Sequence, residues 1–600
     1  MKGFEGGFVG VDVFFVISGY LISRNILAEL SQGAFSFANF YRRRVRRIFP
    51  AMFVTLALSL PCACLVFSAA DLERYATSLL SSSAGVQNIY FWTQAGYWDA
   101  FSESNPLLHF WSLGVEEQFY LFWPFLLWAF WTLAGIRRGR NRVFGVILLV
   151  ALLSLCAAQY FLKRDPTAVF YLTPFRIFEF CIGALLIPAR EFLEDVDNAW
   201  LEILLTGGIA ALGYCVRSFS KSTPFPGAAA LIPCVAAGMI IVSGNARWSG
   251  ANLRNPLMAG IGLISYSLYL VHWPVFVFYR YFQLRTISVE EKEGLIALSF
   301  LLALCLYRFV EQPFRRTSSA GAQWRLFLRA VVLAVSLAST ALFVKFHAER
   351  LKPATREITA LSRNTSAAEY ERGRFLKTCL KSPAGACRQA GATRRIAIVG
   401  DSFADDLAVG LHAAYPDYDF QLDTEPGCKA LLGFPARTGR SFKRCKSYNH
   451  HLFEASIDWS AYDTVVLAMS WNRGNLDYLS GTIAFFRLHG ARRLVVAGPK
   501  VVLEVSQSRI LARSRSLREF EELSSRQRMF GLEKTLTVRA EAIAKAGGAE
   551  YLDLARAECP RAECPNLVPG TEKPMTWDDA HWTLEGARYV LGNTKAYFRL

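Results

Sequence analysis

Charge is scarce in this chain, and metal-binding cysteine spacing is absent from it. Charged residues make up only 19% of the 600, against 53% hydrophobic and 14% aromatic. Length alone excludes a single core, since cores stop growing near about 250–300 residues. The shortage of charge is uneven: the first 350 residues carry long apolar runs, whereas from about Lys352 onward the composition is that of an ordinary soluble domain. The chain therefore divides there into a membrane part and a globular part. No CxxC pair occurs among the 13 cysteines, so no metal site is expected. The short stretch ahead of the first apolar run does not read as a signal peptide, and none is expected. Acidic residues number 49 against 66 Lys and Arg, a net charge of +17. That balance would suit a nucleic-acid partner, but the arginines gather in short loops between apolar runs. There they act as topology signals, and no nucleic acid is expected.

What the first half does contain is membrane-spanning length. Apolar stretches lie near 7–29, 50–70, 108–134, 143–162, 175–190, 200–217, 227–244, 256–276, 293–310 and 327–347, and a helix needs about 17–25 residues to cross a bilayer. About ten helices are expected. Alternate loops, starting with the one around Tyr41 to Arg47, hold about twice as many Lys and Arg as the intervening loops, so the first set faces the cytoplasm. Both ends of the chain then lie outside. Only a few residues precede the first run on that outer side, which leads us to expect a further helix ahead of Met1.

Polar side chains inside a bilayer are costly, so those that remain are functional candidates. In HFWSLGVEEQFYLFWP, helical spacing puts His109, Ser112 and Glu116 on one face, with Glu117 and Tyr120 nearby. Glu116 reads equally well as a working carboxylate and as an interhelical hydrogen-bond partner. In PFRIFEFCIGALL, Arg176 and Glu179 are three apart and able to pair; in ISYSLYLVHWPV, Ser265, Tyr269 and His272 share a stripe. FYRRRVRRIFP places Arg43, Arg44, Arg46 and Arg47 at the inner membrane surface, as anchors or as a phosphate-binding group.

The soluble half turns on RRIAIVGDSFADD, from Arg394 to Asp406. A β-branched run, Ile396 to Val399, ends in Gly-Asp-Ser, and Phe403 to Gly410 reads as the first turns of a helix. Such a turn exposes one hydroxyl at a helix start, with backbone N–H groups placed to receive an oxyanion. Ser402 is the candidate nucleophile. Near the C-terminus, WDDAHWTLEGARYV sets Asp578 and His581 three apart before an amphipathic helix. A carboxylate beside a histidine fixes the tautomer and stabilises the imidazolium. The runs IAIVG, TVVLAMS and RLVVAG alternate with helical stretches, which predicts a three-layer α/β domain whose site lies at the carboxyl ends of a mainly parallel sheet. Seven cysteines lie in or beside apolar runs. The other six, Cys379, Cys387, Cys428, Cys445, Cys559 and Cys564, fall at short spacings, and pairing each with its sequence neighbour is the simplest disulfide set for an exported domain.

GGFVGVDVFFVISGYLI, FYRRRVRRIFPA, PLLHFWSLGVEEQFYLFWP and ISYSLYLVHWPV together resemble the membrane acyltransferase family 3. The order Ser402, then Asp578-x-x-His581, resembles the SGNH hydrolase superfamily. Along nearly its whole length the chain looks like the fused form found in bacterial O-antigen and other surface-polysaccharide O-acetyltransferases. One departure is plain: the family's first helix, bearing an arginine and a histidine, would stand ahead of Gly6 to Asp12, where this chain begins.

The resemblance implies a polytopic α-helical membrane domain over 1–350, a linker over 351–390 and a periplasmic α/β SGNH-like domain over 391–600, in a bacterial inner membrane. It implies transfer of an acyl group, acetyl above all, from cytoplasmic acyl-CoA to hydroxyls of a glycan acceptor such as lipopolysaccharide O-antigen. Acyl-CoA is then the donor substrate, and no cofactor is bound. Arg44 and Arg47 would hold CoA phosphates, and His109, Glu116 and Arg176 would serve the transfer path. In the outer domain Ser402 would attack, His581 would act as base and then acid, and Asp578 would orient it. The oxyanion would meet the Ser402 N–H, the Gly427 N–H and the Asn472 side chain, although the superfamily's GxND sequence is absent. The alternative is a membrane-anchored carbohydrate esterase, for which ten helices are more than a tether needs.

Overall fold

The computed structural model describes residues 5–94, 104–134, 139–162, 164–192, 196–220, 223–283, 287–316, 320–351, 358, 360–361, 386–387, 394–415, 418–435, 440–454, 457–527, 530–560 and 564–594. Each of the ten apolar stretches carries a helix. Among the described residues seven helices are long and apolar enough to cross a membrane. Of the other three, Ile177–Phe192 and Leu231–Ser243 are short, and Phe110–Ala134 has the length but carries Glu116, Glu117 and Gln118.

Six of the membrane-half helices matter below: α1 (Gly10–Ser31), α2 (Phe37–Val66), α3 (Ala69–Ser83), α4 (Phe110–Ala134), α5 (Ile177–Phe192) and α6 (Pro256–Phe282). Helix α2 starts well before position 50. Ser36 caps it by accepting from the Asn39 N–H, and the arginines that follow are good helix formers. Arg42 to Arg47 therefore lie on its first turns rather than in a loop. Helices α1 and α5 meet backbone to backbone: a Cβ at Gly19 would stand 2.0 Å from the Phe180 carbonyl oxygen, and one at Gly183 would stand 2.1 Å from that of Val16. Leu148, Leu149, Leu152 and Leu153 are exposed, as side chains facing lipid are.

The soluble half is built on one sheet. Its strands are β1 (Ala386–Cys387), β2 (Arg394–Gly400), β3 (Tyr418–Thr424), β4 (Thr464–Ala468), β5 (Leu494–Ala497) and β6 (Glu550–Leu552), in the order β1-β3-β2-β4-β5-β6. Only β1 is antiparallel to its neighbour. Alternate residues feed two cores. Ile396, Ile398 and Val466 pack with α7 (Ser402–Ala414) and α9 (Leu584–Gly592), whereas Ala397, Val399, Val465 and Leu467 pack with the helices Arg440–Glu454, Leu479–Leu488 and Phe530–Ala546. Covering both faces with helices is what a parallel sheet requires. The protein is thus a polytopic helical membrane domain joined to a three-layer α/β domain.

Two residues of the stretch expected as a linker lie in a hydrophobic cluster. Ile358 and Leu361 are buried with Leu503, Val505, Ile510, Leu511 and Phe520, beside the short helix α8 (Gln507–Arg513). Disulfides join Cys428 to Cys445 and Cys559 to Cys564; the pairing of Cys379 with Cys387 lies outside the described residues.

Candidate active site

Strand β2 ends at Gly400, with φ +156°, where a Cβ would stand 1.7 Å from the Ala468 carbonyl oxygen of β4. Only glycine lets the two strands run that close ahead of the turn. Asp401 then caps α7: Oδ1 accepts from the Phe403 N–H at 2.9 Å, and Oδ2 accepts from the Ser470 N–H at 3.1 Å. Its carboxylate is paired with Lys429, which also donates to Ser470 Oγ at 2.5 Å. The turn presenting Ser402 is held from the loops after β3 and β4, and Ser402 stands at the positive end of α7.

His581 Nε2 lies 2.8 Å from Ser402 Oγ, and His581 Nδ1 lies 2.6 Å from Asp578 Oδ2. Asp578 Oδ1 accepts from the N–H groups of Ala580 at 2.8 Å and His581 at 2.6 Å, so one tight turn produces the three-residue spacing. With Nδ1–H directed at Asp578, the Nε2 lone pair faces the serine hydroxyl. Trp577 stacks on the imidazole at 5.4 Å. Burial pushes the Asp578 carboxyl up, but its hydrogen bond and charge contact with His581, and the two N–H groups, outweigh burial and hold it below the ordinary carboxylate range. Burial likewise disfavours a charged His581. Asp406 and Asp578 outweigh burial, with Lys500 opposing them, and the imidazole sits above its ordinary value.

Asp406 and Lys500 were not among the expected site residues. Asp406 follows Ser402 by four residues, on the same face of α7. It is fully buried against Lys500, also fully buried, at 2.5 Å, and it accepts from the Trp582 N–H at 3.2 Å. The Lys500 ammonium lies over the rings of Trp582 at 4.0 Å and Phe403 at 4.5 Å. The four-residue spacing, and a lysine just past the carboxyl end of β5, were the available signals.

Gly427 and Asn472 lie on the loops after β3 and β4. Gly427 has φ +78° and open space where a Cβ would stand. Asn472 Oδ1 accepts from the N–H groups of Gly474 and Asn475, both at 3.0 Å, so it caps its own loop. From these two loops Lys429 and the Ser470 N–H bond the Asp401 carboxylate, and the Glu425 N–H donates to the Gly400 carbonyl oxygen at 3.0 Å.

The membrane candidates divide among three groups. Glu116 Oε1 accepts from Ser18 Oγ at 2.7 Å and from the Tyr120 hydroxyl. The Arg44 guanidinium lies over the Tyr120 ring at 5.7 Å, and Arg47 is exposed. Arg176 bonds Asp12 Oδ1 at 3.0 Å and Glu179 Oε1 at 2.6 Å, all three buried. Cys234 stands close to both carboxylates, but Arg176 already supplies the positive charge there. His109 Nε2 lies 3.1 Å from the Leu270 carbonyl oxygen, with its ring 5.6 Å from that of His272; Ser112 Oγ lies 2.5 Å from the Tyr269 hydroxyl. The expected single face is split. Ser112 and His109 meet α6, Glu116 meets α1, and a helix face is wide enough to touch two neighbours. Asp12 and Ser18 were not expected here; the signal for Asp12 was a carboxylate inside an apolar run.

Comparison with known proteins agrees with this architecture. The family described as "Acyltransferase domain" matches residues 3–310, and the one described as "SGNH domain (fused to AT3 domains)" matches residues 370–593. The chain belongs to this acyltransferase family. A Staphylococcus aureus protein named "Putative O-acetyltransferase" is 29% identical over 349 residues, 55% of this chain and 57% of its own length. A Bacillus subtilis protein named "Putative peptidoglycan O-acetyltransferase YrhL" is 30% identical over 351 residues, 54% of this chain and 53% of its own. The chain thus spans a little over half the length of these acyltransferase-family relatives. The solved periplasmic domain of a Salmonella ser. Paratyphi A lipopolysaccharide acetyltransferase aligns with 40% of this chain and 98% of itself, at 17% identity and a TM-score of 0.29.

Proposed function

We propose that the protein is a membrane O-acyltransferase. It takes an acyl group, acetyl above all, from cytoplasmic acyl-CoA and places it on hydroxyls of a surface polysaccharide such as lipopolysaccharide O-antigen. The donor is a substrate, and the protein holds no cofactor of its own. The α/β domain lies on the periplasmic side of the inner membrane, and the Arg43, Arg44, Arg46 and Arg47 end of α2 receives the CoA phosphates.

The observation that carries the reading is the hydrogen-bonded chain from Asp578 through His581 to Ser402. Ser402 Oγ attacks the acyl carbonyl carbon while His581 Nε2 takes the hydroxyl proton. The donor's leaving group departs with that proton, and acyl-Ser402 remains. A glycan hydroxyl then attacks the acyl carbon, His581 takes its proton, and that proton returns to Ser402 Oγ as the glycan ester forms. Relatives named O-acetyltransferases support the choice of acetyl. The test compares surface-glycan O-acetyl content in cells carrying the parent chain, Ser402→Ala, or no chain. The parent raises the content, and Ser402→Ala removes the rise by about 10³-fold or more in rate. A content that falls when the parent is expressed indicates an esterase; an unchanged rise with Ser402→Ala overturns the proposal.

A further inference from the structure

The α/β domain touches the membrane domain through α8. Arg509 donates to Ser104 Oγ at 2.9 Å, and its guanidinium lies over the Tyr281 ring at 4.9 Å. One turn on, the Arg513 guanidinium lies over the Phe282 ring at 4.1 Å. The surface they meet is built to receive a cation. The Tyr281 hydroxyl donates to buried Asp71 Oδ2 at 2.5 Å and accepts from the Ser68 N–H at 3.3 Å, so a carboxylate backs the ring that Arg509 covers. Tyr281 and Phe282 close α6, and Ser68 and Asp71 open α3 just after α2 ends. The arginines of α2 lie at its other end, about 30–35 Å away at 1.5 Å per residue. The contact is therefore on the face of the bundle opposite the basic cluster.

The segment bearing α8 also holds the catalytic turn. The Leu503 N–H donates to the Asp579 carbonyl oxygen at 2.9 Å, and Thr576 Oγ1 donates to buried Gln507 Oε1 at 2.6 Å. These bonds bracket Asp578 and lead straight to His581. Arg509 and His581 also oppose the rise that burial and Asp578 impose on the Asp579 carboxyl. Ile358 and Leu361 share one buried cluster with Ile510 and Leu511 of this short helix.

We infer that α8 is a docking element: Arg509 and Arg513 seat the Ser402 domain on the ends of α3 and α6, and this seat positions the Asp578–His581 segment over the membrane domain so that acyl groups are handed on to Ser402. The inference rests on the proposed acyltransferase reading but concerns delivery, not the chemistry at Ser402. Hydrolysis of a small soluble ester needs no delivery, whereas glycan modification does.

The test uses the full chain in membranes with two readouts, p-nitrophenyl acetate hydrolysis and glycan O-acetylation. Arg509→Ala with Arg513→Ala is expected to leave hydrolysis within about twofold and to lower glycan transfer about tenfold or more. A second measurement approaches from the membrane side. Phe282→Ala and Arg513→Ala, each lowering transfer alone, are expected to cost no more together than the larger of the two, as partners in one contact do. Unchanged transfer, hydrolysis lost together with transfer, or fully additive single effects each overturn the docking. Ser402→Ala decides the acyltransferase reading separately, because it removes hydrolysis and transfer alike whatever α8 does.

Discussion

Each half of this protein buries a cation, and the two are buried differently. In the membrane half Arg176 sits between two carboxylates, Asp12 and Glu179, one of them 164 residues away in sequence. In the α/β half Lys500 has one carboxylate, Asp406, and two aromatic faces. The first cluster joins α1 to the start of α5. The second lies beside His581, which the proposed reaction requires to change charge. The comparison teaches that a buried ion pair serves packing in one place and proton affinity in another, and its neighbours decide which.

The largest effect belongs to the chemistry. Asp578→Asn keeps an oxygen for the Ala580 and His581 N–H groups but removes the charge that selects the tautomer, and it should lower ester hydrolysis about 10³–10⁴-fold with thermal stability nearly unchanged. A loss within tenfold would mean that His581 is oriented by other groups.

Next comes the contrast in stability. Arg176→Met strands two buried carboxylates, and Lys500→Met strands one. Each should cost about 3–5 kcal/mol, read as thermal unfolding of the full chain in detergent. Adding Asp406→Asn to Lys500→Met should recover most of that loss, because a neutral pair no longer pays for desolvation. Adding Glu179→Gln alone to Arg176→Met should recover only part, since Asp12 remains stranded. Equal recovery in the two halves would erase the distinction.

The same contrast explains what was legible. The sheet could be read because β-branched runs such as Ile396 to Val399 are buried on both faces and alternate with helices. The Asp578–His581 pair could be read because its partners are three residues apart. Asp12 with Arg176, and Ser18 with Glu116, are joined across 164 and 98 residues, and helical periodicity says nothing about which neighbour a face will meet. That Asn472 Oδ1 accepts from the Gly474 and Asn475 N–H groups is a turn preference that strand spacing does not reveal. Lys500 escaped notice because a lysine after a strand is ordinarily solvated, and only the Asp406 carboxylate brought up by α7 makes its burial tolerable.

The smallest effect is the one that separates packing from tuning. In the proposed reaction His581 acts as base only when neutral, and its imidazole is held above its ordinary value of about 6.5. The acid limb of kcat/KM for p-nitrophenyl acetate should therefore lie above that pH in the parent. Asp406→Asn removes a carboxylate that favours the imidazolium, so the limb moves to lower pH. Lys500→Met removes the opposing cation, so the limb moves to higher pH. The stability linkage has a matching sign: a raised folded-state value contributes stability that is complete below the unfolded imidazole pKa and disappears as pH rises through the folded value. The penalty of Asp406→Asn should accordingly be larger in mild acid than in mild base. Limbs that move together, or not at all, would reduce the Asp406–Lys500 pair to the same packing role that Arg176 plays among the membrane helices.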